Sequence, residues 1–136
     1  MMTKRNIHGL WTMSFENRLL HSEITGASNK EAAEAWFEQM KGLVLSSPEG
    51  DAQPWVLLTD SREWGVASQD AWEAINELTD WMCEHNCVLA AVVFSNKIQH
   101  YSADQGLNEQ QILRFFFDYD EAHQACISEL SKARDK

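Results

Sequence analysis

The chain has 136 residues, 44% of them apolar and 24% charged, with 21 acidic against 11 basic side chains and a formal net charge of -10. That length suits a single domain spanning residues 1–136, with an ordered core over about residues 7–130 and about two thirds of the unfolded surface buried on folding. Apolar runs fall well short of the roughly 20 residues that cross a bilayer, so no transmembrane segment is expected. The acidic surface repels phosphate backbones, which argues against nucleic acid as a partner.

Lys4 and Arg5 are followed by His8, Thr12, Ser14 and Glu16 instead of an apolar signal-peptide core, so the expected compartment is the cytoplasm. The three cysteines, Cys83, Cys87 and Cys126, are an odd number without an export signal, and reduced thiols are expected.

Residues 7–25 alternate in the manner of strands, with Trp11, Met13 and Phe15 on one face. Glu16, Asn17 and Arg18 interrupt the pattern, which predicts an antiparallel hairpin that Gly26 ends. Ser28 with Glu31 fits a capping box and starts a helix whose buried stripe is Ala33, Trp36, Phe37, Met40 and Val44. Residues 46–51 are turn formers around Pro48, so that helix stops near Leu45.

Residues 55–59 are apolar on both faces, as in a central strand covered by helices on its two sides. Residues 60–67 read as a polar turn, and a second helix begins near Ser68 with Trp72, Ile75, Leu78 and Met82 as its stripe. Residues 88–94 are a second continuous apolar run, which completes a right-handed β-α-β unit. Residues 95–111 fit either a short helix or an irregular loop, anchored by Ile98, Tyr101 and Leu107. Residues 112–117 restore strand character, and Asp118 with Glu121 caps a last helix bearing Ala122, Cys126 and Leu130.

No catalytic, phosphate-binding or metal motif stands out, and no cofactor is expected. Cys83, His85 and Cys87 lack the second ligand pair that zinc needs, so the cysteines read as structural. The five histidines are scattered, and the six glycines are isolated from one another. Of the six tryptophans, Trp64 alone falls in the polar turn, either as a plug over the sheet edge or exposed to a partner. An apolar space between the sheet and the helix stripes would be bounded by Trp36, Phe37, Trp72 and Met82. A hydrolase-type reading would need Asp60 paired with a histidine from elsewhere in the chain.

The element order resembles the STAS fold, typified by the SpoIIAA anti-sigma-factor antagonists. Residues 55–60, residues 88–94 and the closing stretch Leu113 through Ala122 carry the likeness. The resemblance implies an α/β fold: a mixed sheet with an N-terminal antiparallel hairpin, a βαβ core and helices packed on the sheet. It also implies a non-enzymatic regulatory module that binds a partner protein through the loop at the start of the second helix. Asp60, Ser61, Arg62, Glu63, Trp64 and Ser68 would form that recognition loop. Ser68 matches the family's switch serine and is the candidate for phosphorylation, although the acid before it and the glycine after it are missing here. The chain is also similar to divergent SpoIIAA-like proteins related to SEC14-type domains, which implies a small apolar or lipid-like ligand as the alternative. Self-association as a homodimer is left open.

Overall fold

A computed structural model describes residues 10–134, so the predicted strand start at residues 7–9 and the tail at 135–136 lie outside the described part. Strand alternation takes effect at once. In β1 (Leu10–Glu16), Trp11, Met13 and Phe15 are half-buried while Thr12 and Ser14 face water. It pairs antiparallel with β2 (Leu19–Ser28) in a register that sets Glu16 opposite Leu19.

Asn17 and Arg18 make the two-residue turn, both at positive φ (52° and 66°), which suits the right-handed twist of a tight hairpin. Positive φ is uncommon for arginine. Here its guanidinium donates to the carbonyls of Gly50, Gln53 and Pro54 at 2.8, 2.7 and 3.1 Å and so ties the hairpin to the loop that follows the first helix.

Helix α1 (Lys30–Ser46) is capped by Asn29, whose side chain accepts from the Ala32 N–H at 3.0 Å. The predicted cap, Ser28, is claimed by the sheet instead. It pairs with Ala67, its carbonyl accepts from the Ser68 N–H, and its hydroxyl accepts from Trp64 Nε1. The remaining elements follow in order: β3 (Trp55–Ala67), α2 (Gln69–Glu84), β4 (Cys87–Val93), α3 (Lys97–Gly106), β5 (Leu113–Phe116) and α4 (Tyr119–Arg134). The sheet runs β1-β2-β3-β4-β5, antiparallel only at the hairpin and parallel from β2 onward. This is the mixed α/β arrangement expected from the sequence.

Two cores cover the two faces. Leu20, Trp55, Leu57 and Ala90 pack with Trp36, Met40 and Val44 of α1 and Leu78 and Met82 of α2. Val56, Leu58, Leu89, Ala91 and Val93 pack with Ala122, Cys126 and Leu130 of α4, the three positions predicted for that helix. Asp118 caps α4 by accepting from the Glu121 N–H at 3.0 Å.

The largest departure from expectation is the stretch 60–67, which is strand and not turn. Polar residues suggested a loop, but β2 is long enough to hold them: Glu23 pairs with Asp60, Thr25 with Glu63, Gly26 with Trp64 and Ser28 with Ala67. Main-chain pairing is indifferent to side-chain polarity, so a partner strand of sufficient length overrides the composition.

On the other side β4 stops pairing at Val93, opposite Asp60, and leaves the rest of β3 without a neighbouring strand. Helix α3 fills that gap. Gln99, buried in α3, donates from its amide to the carbonyls of Ser61, Arg62 and Trp64 at 3.1, 3.2 and 2.6 Å. Its own oxygen accepts from the Ser95 N–H at 2.7 Å. The predicted anchors Ile98 and Tyr101 face water, so the segment is held by Gln99 and Ala103, with Leu107 half-buried.

Replacing Gln99 with leucine takes the amide donor from the Ser61 and Trp64 carbonyls and leaves Arg62 O only the Ser95 hydroxyl at 2.8 Å, a loss of about 2 kcal/mol. Thermal denaturation of Gln99→Leu should show a midpoint several degrees below that of the parent; an unchanged midpoint would mean that this bridge contributes nothing to stability.

Candidate functional site

The carboxyl half of β3 is where three different environments meet, and its backbone decides which side chain enters which. Regular alternation sends Leu57, Thr59 and Ser61 toward α1 and α2, and Leu58 and Asp60 toward α4. Between Asp60 and Glu63 the strand spends three residues against two on β2, a β-bulge. The extra residue shifts the parity by one, so Trp64 points to the same side as Thr59 and Ser61.

On that side lies a cavity of about 100 Å³ between the sheet and α1, α2 and α3. Of the four residues expected to bound an apolar space, Trp36, Trp72 and Met82 line it. Phe37 does not: it stacks edge-on to Trp81 at 6.1 Å, with Lys41 Nζ over its ring. Trp64, only 8% exposed, sits edge-to-face on Trp72 at 5.8 Å and stacked on Phe94 at 6.2 Å, which settles it as an inward plug. Trp72 in turn lies against Gly106, where a Cβ would come within 2.2 Å of the indole, so only glycine lets α3 close over that ring.

The polar side chains of the cavity wall are mostly committed elsewhere. Ser28 accepts from Trp64 Nε1, and Thr79 donates to the Ile75 carbonyl at 2.9 Å. Two are not: Thr59, 3% exposed, has an Oγ1 with no hydrogen-bond partner among the described residues, and Ser61, also 3% exposed, stands two residues further along the same wall.

The opposite face of the same strand carries charge. Asp60 accepts from Arg62 Nε at 2.9 Å, from its terminal nitrogen at 2.7 Å and from its N–H at 3.2 Å. These bonds hold the Asp60 carboxyl below the usual carboxylate range against the opposing effect of burial. The Arg62 guanidinium also lies 5.3 Å over the Tyr119 ring of α4. His21 stands edge-on to Tyr119 at 6.0 Å, within electrostatic reach of Asp60. An acid whose two oxygens are occupied by a guanidinium and whose pKa is depressed is a poor proton acceptor, so the pair serves to bind β3 to its surroundings.

At the end of β3, Ser68 is the N-cap of α2, as the sequence predicts. Its hydroxyl donates to Asp70 Oδ1 at 2.6 Å and accepts from the Ala71 N–H at 3.4 Å. The six residues read as one recognition loop are therefore divided. Ser61 and Trp64 line the cavity, Asp60 is buried under Arg62, and Arg62, Glu63 and Ser68 reach solvent.

The two cysteines flanking His85 sit in different surroundings. Cys83 is exposed, while Cys87 is buried with its thiol against the Leu89 carbonyl and its pKa pushed up by burial. Among the described residues no group of three or more His, Cys, Asp or Glu is placed to hold a metal ion. No described helix is long and apolar enough to cross a membrane.

Gln99, Phe94, Ala103 and Leu107 belong to this site but were not legible as such. Phe94 ended a strand pattern, and the others sat in a segment with no dominant periodicity.

This architecture is a SpoIIAA-like fold. It superposes on an anti-sigma factor antagonist from Mycobacterium paratuberculosis with a TM-score of 0.64 and 12% identity, over 88% of this chain and 94% of that one. It also superposes on an uncharacterized DUF3478-family protein with a SpoIIAA-like fold from Shewanella loihica, with a TM-score of 0.60 and 22% identity, over 93% of this chain and 98% of that one. No protein-family model and no curated protein sequence matches the chain, so the likeness is carried by structure.

The Asp60–Arg62 pair has a pH signature. Because the folded pKa lies below the unfolded value of about 3.9, its stabilisation is complete above that value and is lost as pH falls through the folded pKa. Urea midpoints at pH 7 and pH 3 should show a smaller acid-induced loss for Asp60→Asn than for the parent; parallel losses would remove Asp60 as a source of acid sensitivity.

Proposed function

We propose that the chain is a non-enzymatic, cytoplasmic regulatory module that docks a protein partner at the carboxyl end of its parallel strands. The observation that carries this is the outer face of α3 and its surroundings. Ile98 is 75% exposed, Tyr101 68% and Phe117 53%, and His100 between them touches the Phe117 ring at 5.7 Å. Exposed aliphatic and aromatic side chains grouped around one helix mark interaction surfaces more often than scattered ones do.

Arg62 and Glu63 reach solvent on the strand that α3 is bonded to through Gln99, and Ser68 opens the helix beyond. Ligands of open α/β sheets gather at this end because strand carbonyls, helix N-termini and loops converge there. The shared fold with a protein described as an anti-sigma factor antagonist supports a partner of protein type. The net charge of -10 favours a partner whose docking face is basic.

Within this reading Ser68 is the point of control. As a cap its hydroxyl contributes about 1 kcal/mol. A phosphoryl group on it would replace the Ser68–Asp70 hydrogen bond with two anions side by side and loosen the first turn of α2.

The double variant Ile98→Glu/Tyr101→Glu changes only solvent-facing positions and should leave thermal stability unaltered. In affinity capture from native cells it should recover at least tenfold less partner than the parent. Equal recovery would rule out the α3 face as the docking surface, and recovery of the chain itself would identify the partner as a second copy in a homodimer.

A second reading is favoured by the cavity: a carrier of a small apolar compound. Organic extraction of the natively purified protein followed by mass spectrometry should then yield one compound in near-stoichiometric amount. Repeated extraction with no such compound would argue against a carrier.

A further inference from the structure

We infer that the cavity takes a neutral ligand about the size of one aromatic ring, carrying a single hydrogen-bonding group that pairs with the Thr59 hydroxyl. This rests on the carrier reading and specifies its chemistry.

The volume sets the size. About 100 Å³ is smaller than the roughly 150 Å³ apolar cavity that accepts benzene, so the space holds one ring at most and excludes a long acyl chain. The wall sets the polarity. Among the described residues no charged or histidine side chain lines the cavity, so a carboxylate or ammonium would be desolvated there without a partner from them. Trp36, Trp64, Trp72 and Phe94 offer ring faces and edges against which another ring packs in offset or edge-on geometry.

Thr59 sets the orientation. A hydroxyl buried without a partner costs about 1–3 kcal/mol, and native proteins seldom leave one so. Of the other hydroxyls on the wall, Ser28 accepts from Trp64 Nε1 and Thr79 donates to the Ile75 carbonyl, while Ser61 stands beside Thr59 on the same side. A ligand that places an apolar ring against the tryptophans and one donor or acceptor at Thr59 satisfies both requirements at once.

Phenol and toluene differ by a hydroxyl in place of a methyl, and Thr59→Val makes the same exchange on the protein. Each probe is titrated into the full chain while the indole N–H signals of Trp36, Trp64 and Trp72 are followed by NMR. Both should shift those signals saturably in the parent. In Thr59→Val the affinity for phenol relative to toluene should fall about tenfold, the worth of one hydrogen bond. Thr59→Ser, which keeps the hydroxyl, should retain the parental ratio. Thr59→Val should fold, since it removes an unpaired polar atom and conserves shape.

If both probes bind but their affinity ratio is the same in all three proteins, Thr59 is not the anchor and the carrier reading stands. If neither binds up to its solubility limit, the cavity takes no such ligand and both ideas fall.

Discussion

Three strand carbonyls without a neighbouring strand are the constraint around which the working end of this protein is built. Beyond Asp60, β3 has outrun β4, and an edge of that kind invites pairing with another chain. The Gln99 amide closes it by reaching the carbonyls of Ser61, Arg62 and Trp64. The same bonds fix α3 across the end of the sheet. Ala103 and Leu107 can then lie over Trp64, and Gly106 admits the Trp72 indole. One side chain thus holds the strand edge, the roof of the cavity and the helix that presents Ile98 and Tyr101.

A single inserted residue does comparable work within the strand. Without the bulge between Asp60 and Glu63, strict alternation would send Trp64 to the face of Asp60 and Arg62. With it, Trp64 returns to the cavity side, and the Asp60–Arg62 pair keeps the other face, over Tyr119. Neighbouring residues therefore enter an apolar interior, a partly buried ion pair and solvent within a few ångströms of chain. Sequence proximity here says little about shared role, which is why a six-residue recognition loop dissolves into three environments.

The electrostatic contrast between outside and inside bears on both functional readings. Acidic residues outnumber basic ones nearly two to one, yet the cavity wall carries no charge. On the first reading a charged partner would be met at the surface, where water screens the interaction; on the second a neutral ligand would be met inside, where shape and a few hydroxyls discriminate. Helix α3 belongs to both regions, with Ala103 turned inward and Ile98 and Tyr101 outward.

Much of the architecture was determined by the sequence alone, because the signals were local. The apolar runs at residues 55–59 and 88–94, the stripes of α1 and α2, the Ser68 and Asp118 caps and the inward set Ala122, Cys126 and Leu130 each follow from periodicity or from one hydrogen bond a few residues away. They were enough to order the elements and to suggest the fold. What the tertiary structure decided depended on partners distant in the chain. Asp60 to Ala67 became strand because β2 was long enough to pair with it, and Ser28 lost its capping role to that pairing. Gln99, in a segment with no clear period, became an anchor only because strand carbonyls more than thirty residues earlier lacked donors. Thr59 became notable only because the fold buried its hydroxyl without a partner among the described residues. Such features arise from hydrogen-bonding needs that are counted across the folded molecule, and no window of sequence contains that count.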